Sequence, residues 1–487
     1  MKVMLISTAL ATALPAALMA QSSGAIEQAV YAGIALLSEG PGSVTIDRRS
    51  VGGDQSVTLH GVRAEDGDGF VIEAEFITLA PAETPGHVTV TMSDTVNIQF
   101  TPEDDVPPVD LVLASDGFAL TTNWILGAGG QPEMAIVADT LALTGGSSDH
   151  PVLKDLTIAQ TALDMAFQLN EDTRDAAGGW SADTLVLNYS FVDATIGSTM
   201  SSTSQTEGID VSFAGTNFAT SEDAFEAFVA EGSFELEARS ERSQGSFETD
   251  DPDFPIAMTG GSEGGTLTLD LTDGVMELVS NGDATAYVVT PGGGFPMPPT
   301  DLGFSSFDME MRVPLMPTDG AERAKYLISL QDLVVGDGLW DLIDPERTVS
   351  RAPATLELDL EADVVLEVPT WEAMEALDFM DGGAFENVNL RTLLVSAAGA
   401  LVEASGQVAF DNSGPVPVPQ GAIDVAVTGV QELGQKLVAL GLVEQMQVGM
   451  MMGMMMAFAE PGEEPDSFNS RIEFTPDGIL ANGQPIQ

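Results

Sequence analysis

The chain contains no cysteine in 487 residues, which removes disulfides, thiol catalysis and every cysteine-ligated metal site together. A lipid anchor on a processed cysteine goes with them. Stability must then come from burial and strand pairing. Positive charge is also scarce: 16 Lys and Arg stand against 75 Asp and Glu, a formal net charge of −59. With no basic cluster, such a chain repels nucleic acid and anionic headgroups across a Debye length of about 8–10 Å. Nucleic acid is therefore excluded as a partner. Histidine is confined to His60, His87 and His150, with no H-x-x-x-H or H-E-x-x-H spacing to hold a metal. Aromatic residues make up 6% of the chain, few for the stacked subsites of a sugar cleft.

What is present is a folded, periodic sequence. Hydrophobic residues amount to 44%, too many for a charge-driven disordered chain. The acidity itself fits a solvated surface in saline surroundings. Lys2, an apolar stretch from Val3 to Leu18 interrupted by Pro15, and Leu18-Met19-Ala20 ahead of Gln21 read as a cleaved secretory signal over 1–20. An uncleaved anchor is the alternative. An exported chain without disulfides fits a bacterial envelope, so the expected location is the periplasm.

Alternation with a period of two dominates the rest. Phe70, Ile72, Ala74 and Phe76 alternate with Val71, Glu73 and Glu75; Leu267, Leu269 and Leu271 alternate with Thr268 and Asp270. The clearest run sets Leu356, Leu358, Leu360 and Ala362 against Glu357, Asp359, Glu361 and Asp363. This spacing puts apolar side chains on one face of a strand and polar ones on the other. Gly, Asp, Asn and Pro clusters between the runs mark turns. The predicted fold is mainly β: an elongated, mostly antiparallel open sheet or meander with a few short helices.

Helices are expected over Ala321 to Val335, where Asp319 and Glu322 resemble a capping box, over Ser221 to Ala230, and over Trp371 to Leu377. A longer C-terminal helix is expected over about 430–459, packed on the sheet. A closing hairpin runs from Ser470 to Phe474 and from Gly478 to Ala481. Ser201 to Gly208 and Pro291 to Pro299 read as linkers. The second divides a β-rich region over 21–290 from another over 300–487.

Two segments carry a resemblance. The first is Leu339-Trp340-Asp341-Leu342-Ile343-Asp344-Pro345 with Arg351-Ala352-Pro353-Ala354-Thr355-Leu356. The second runs from Gly399-Ala400-Leu401-Val402-Glu403-Ala404-Ser405-Gly406 through Phe410-Asp411 and Gly421 to Phe474-Thr475-Pro476-Asp477-Gly478. Together they resemble the exported Gram-negative family catalogued as domain of unknown function 2125, over roughly 306–487. The motifs are structural punctuation and imply no activity. The strand-then-helix order is similar to that of large AsmA-like envelope proteins, a fold-level likeness that implies lipid held in a β-groove.

Candidate chemistry is thin. Gly260-Gly261-Ser262-Glu263-Gly264 matches G-x-S-x-G, which works only where a strand turns sharply into a helix. Here a strand is expected next, and all three histidines precede the serine. Asp66 and Asp68 resemble part of a calcium loop but lack its terminal Glu. The carboxylates Glu357, Asp359, Glu361 and Asp363 stand roughly 6.6 Å apart along one strand face, close enough to attract Ca²⁺ or to remain a solvated face.

The C-terminal helix is the most distinctive segment. Leu433, Leu437 and Leu440 give helical spacing, Met446, Met450 and Met454 continue it, and Met451, Met452, Met455 and Met456 broaden it. Gly449 and Gly453 permit close backbone approach. Flexible thioethers suit a variable apolar surface, or Cu(I) at Met450 and Met454. The run is too short for a membrane span. The expected function is non-enzymatic: an apolar, lipid-like ligand or an envelope protein bound at Leu437, Leu440, Met446, Met450 and Met454. Metal handling and a purely structural or docking role are the alternatives. No cofactor is implied.

Overall fold

The computed structural model describes residues 43–486 apart from 66–68, 102–106, 124–131, 148, 171–172, 194, 196, 219–224, 252, 293–297, 376–382 and 415. The signal reading over 1–20 and the Asp66–Asp68 turn lie outside the described residues. Among these residues there are 28 strands, and the pairs within each unit are antiparallel. Helices are few and short, so the mainly β expectation holds.

The chain divides into two compact units: residues up to Phe218 with Glu237–Ala257, and Ala219–Leu236 with Met258–Gln487. The division falls well before Pro291 to Pro299. That stretch instead connects two strands of the second unit, Thr285–Pro291 and Thr300–Phe304, which pair from Val289↔Thr300 onward.

The first unit has the conventional core. Val57, Leu59, Leu79, Val88, Ile98, Leu111, Ile136 and Leu143 are all buried in one cluster. Its histidines serve local structure. His150 is buried, accepts the Val152 and Leu153 N–H groups at Nδ1 and so donates from Nε2 to the Pro107 carbonyl at 3.0 Å. His87 meets Glu133 at 3.2 Å and His60 meets the Ser50 hydroxyl at 3.1 Å. Ser201 to Gly208 is no linker: it lies inside the strand Ser198–Thr216 and pairs on both sides. Cross-strand hydroxyl pairs such as Thr203 with Ser246, 2.8 Å apart, make a Ser/Thr-rich run a good strand with two polar faces.

In the second unit, the helix expected over Ala321 to Val335 is the strand Glu322–Val335. It pairs with Ser306–Pro314 on one side and Ala354–Leu366 on the other. Two strand edges offered by neighbours outweigh a local helical signal. The pairing shifts between Leu330 and Leu333, and Asp332 has φ +54°. This irregularity moves Val334 out of phase and lends the run its helix-like spacing.

The single long helix expected over about 430–459 is two helices, Val430–Ala439 and Gln445–Phe458. Gly441, at φ +72°, ends the first; the Leu442 N–H donates to Leu437 O and the Gly441 N–H to Val438 O, the Schellman pattern. Glu444 and Gln447 then form a capping box that starts the second. The two short helices expected elsewhere fall at Phe225–Glu231 and Thr370–Glu375, where Phe225 meets Trp371 edge to face with ring centroids 5.6 Å apart.

The Trp340 motif builds the crossing from the strand Glu322–Val335 to the strand Ala354–Leu366. A short helix, Asp337–Ile343, ends at Asp344, which is fully buried. The Asp344 carboxylate accepts the Thr348 and Val349 N–H groups at 2.9 and 2.8 Å and the Thr348 hydroxyl at 2.9 Å. Arg351 ties Asp337 and Asp341 to the same turn.

Candidate functional site

Register decides which side chains share a face. From Ser306–Pro314 through Glu322–Val335, Ala354–Leu366, Gly383–Ala397, Ala400–Asp411 and Val418–Thr428 to Ser467–Thr475, seven strands pair in succession. Met309, Ile328, Leu358 and Leu393 follow one another in register, as do Met311, Tyr326, Leu360 and Leu390. Val402 and Val427 then line up with Phe468, and Ile423 with Ile472. One face of the second unit is therefore aliphatic across about 29 Å, taking seven strands at about 4.8 Å spacing.

This face is incompletely covered. Tyr326, Leu356 and Val395 are 38%, 38% and 36% exposed. Fully burying one such side chain stabilises by about 1.5–3 kcal/mol, so these three positions leave part of that burial unrealised among the described residues. Toward the Ala400–Asp411 strand the cover improves, where Ala404 and Val408 are buried. The Val430–Ala439 helix packs there, and the two helices meet where Val448 packs on Gly434.

The opposite face is polar. Of the acidic ladder, Glu361 binds Arg323 and Arg391 at 3.3 and 2.6 Å. Asp363 binds Arg323 at 3.1 Å and Asp359 binds Arg391 at 3.6 Å. Glu357 stands half-buried opposite Ser329. The hydrogen bond from Arg391 to Glu361, with the charges of Glu361 and Asp359, raises the guanidinium pKa further. Asp424 does the same for Arg471. Among the described residues no group of three or more His, Asp or Glu side chains stands together to hold a metal ion.

The methionine helix has no polar face. Val448 is buried and Met452 and Met455 are half-buried, whereas Met446, Met450 and Met454 are 70%, 63% and 55% exposed. Among the described residues nothing lies within 4 Å of the place a Cβ would take on Gly449 or Gly453, and their expected use in close packing is not seen there. Leu437 and Leu440 are half-buried on the preceding helix. Of the five residues expected at a ligand surface, Met454 lines a cavity with the sheet. That cavity, about 260 Å³, is bounded by Val425, Val427, Met454, Met455, Phe458 and Phe468, with Ala459 and Ser470 at its margin. Val425, Val427 and Phe468 belong to the apolar face; their alternation with Asp424, Ala426 and Asn469 is visible in sequence, but their meeting with the helix is not.

Ser262 closes the strand Ile256–Ser262, and the chain returns as the strand Gly265–Thr272. The strand-to-helix elbow that makes such a serine nucleophilic is therefore not built there.

The profile of a bacterial family described as "Uncharacterized protein conserved in bacteria (DUF2125)" matches residues 225–476. That span holds the apolar face, the Trp340 crossing and both C-terminal helices. No curated protein and no solved structure matches the chain.

Proposed function

This chain belongs to the DUF2125 family of uncharacterized bacterial proteins, a membership that supplies no activity, and we propose that it is an exported, non-enzymatic protein of the bacterial envelope that binds an apolar, acyl-chain ligand. The observation that carries this reading is the aliphatic face of seven paired strands, still more than one-third exposed at Tyr326, Leu356 and Val395. Its width of about 29 Å is close to the roughly 30 Å of a bilayer's hydrocarbon core. One acyl chain, about half that length, fits across it. The leader-like stretch Lys2 to Ala20 supports export. Net charge of −59 disfavours anionic ligands, so the preferred one is neutral or zwitterionic.

Native mass spectrometry after incubation with phosphatidylethanolamine vesicles tests the reading. A retained lipid adduct is expected, and Leu358→Gln with Leu393→Gln should weaken it by placing unpaired amides on the face. A bare protein mass at every lipid concentration would refute it.

A further inference from the structure

The cavity beneath the methionine helix has a lining that is unusually selective in its chemistry. Val425, Val427 and Phe468 form its floor, and Met454, Met455 and Phe458 form its wall. The one hydroxyl at its margin, on Ser470, already donates to the Phe458 carbonyl at 2.8 Å, and the Asn482 amide donates to the same oxygen at 3.0 Å. These two bonds fasten the helix's C-terminal end to the sheet. Among the described residues the lining holds no Lys, Arg or His. A peptide, a sugar or an anionic headgroup would lose its hydrogen bonds to water here and find none in return. Hydrocarbon loses nothing.

We propose that this cavity is an open-sided terminal chamber that seats the end of one alkyl chain, with the Gln445–Phe458 helix as one wall and the chain's remainder running out over the aliphatic face. At about 260 Å³ it falls below the 300–1,000 Å³ of pockets that enclose a whole small molecule, and it suits a chain end on the order of ten carbons, taking each carbon as roughly the 30 Å³ of a water. Thioethers of Met454 and Met455 adapt to the chain end without a fixed rotamer. The headgroup stays outside and must be neutral or zwitterionic, because among the described residues no cation lines the chamber to meet an anion. The proposal rests on the acyl-chain reading above and adds a site and a chain-length preference to it.

Binding of the full chain to monoacylglycerols of 8 to 16 carbons, followed by isothermal titration, tests it. Affinity should rise by up to about fourfold per methylene, the equivalent of about 0.8 kcal/mol, and the slope should break near ten carbons. Val427→Trp, which fills the chamber, should move the break to shorter chains. Phe458→Ala, which enlarges it, should move the break to longer ones. A defect that merely loosened the fold would not shift the break in opposite directions. If both variants keep the wild-type break while Leu358→Gln weakens binding, the chamber is overturned and the open-face reading stands. If the wild type binds none of the series, both fall.

Discussion

Asp344 shows what a single side chain does in the turn that follows Trp340. It is fully buried, and burial alone would push its carboxyl pKa up. The Thr348 and Val349 N–H groups, the Thr348 hydroxyl and the nearby Arg351 charge outweigh that and hold it below the usual range. A carboxyl lowered on folding stabilises the fold above its unfolded value of about 3.9, and the stabilisation is lost as pH falls through the lowered folded value. Asp344→Asn places an amide NH₂ among donors that need an acceptor. The variant should melt below wild type at pH 7, and the gap in Tm should narrow on going below about pH 4. A gap of constant size from pH 7 to pH 3 would mean that the carboxylate charge contributes nothing. Asp337, lowered mainly by its hydrogen bond from Arg351, adds to the same acid-side loss.

At the scale of the element, the C-terminal helices are held from outside themselves. Gly429, at φ +77°, leads into the helix Val430–Ala439 without a side-chain cap of its own. The carboxylate of Asp466, far along the chain, accepts the Gln431 and Glu432 N–H groups at 3.1 and 2.8 Å. Asp466→Ala should therefore cost about 1 kcal/mol, read by denaturant unfolding, with faster hydrogen exchange at Gln431 and Glu432. Unchanged exchange there would show the cap to be idle. Such a cap is invisible in sequence, because it pairs residues 34 and 35 positions apart. What period-two alternation can reveal is legible: Leu356 to Ala362 and Leu267 to Leu271 lie in strands, as their spacing predicts. The strand Glu322–Val335 passes for a helix because its irregularity near Asp332 breaks the period. The two C-terminal helices pass for one because Val438 to Val443 is an apolar run with no charged residue to mark the break at Gly441. Of the site, Met454 is legible as part of an apolar stripe. Val425, Val427 and Phe468 are not, since only the register Val427↔Phe468 brings them together.

At the scale of the whole molecule, the decisive quantity is the imbalance of 75 acids against 16 bases. Most carboxylates have no cation to meet, so the folded chain carries a repulsion that salt should relieve. Two arginines of the second unit neutralise part of it on the acidic ladder: Arg323 and Arg391 both hold Glu361, and each holds a further ladder acid. A calcium ion on the ladder would have to displace these guanidinium groups and desolvate with them. Tm should therefore rise from low salt to about 0.5 M NaCl, a range over which the Debye length falls several-fold. Calcium and magnesium chloride at equal millimolar concentration should then give matching shifts, as expected of screening without a shaped site. A larger shift with calcium alone would identify a selective oxygen cage and move the acidic face from electrostatic surface to binding site.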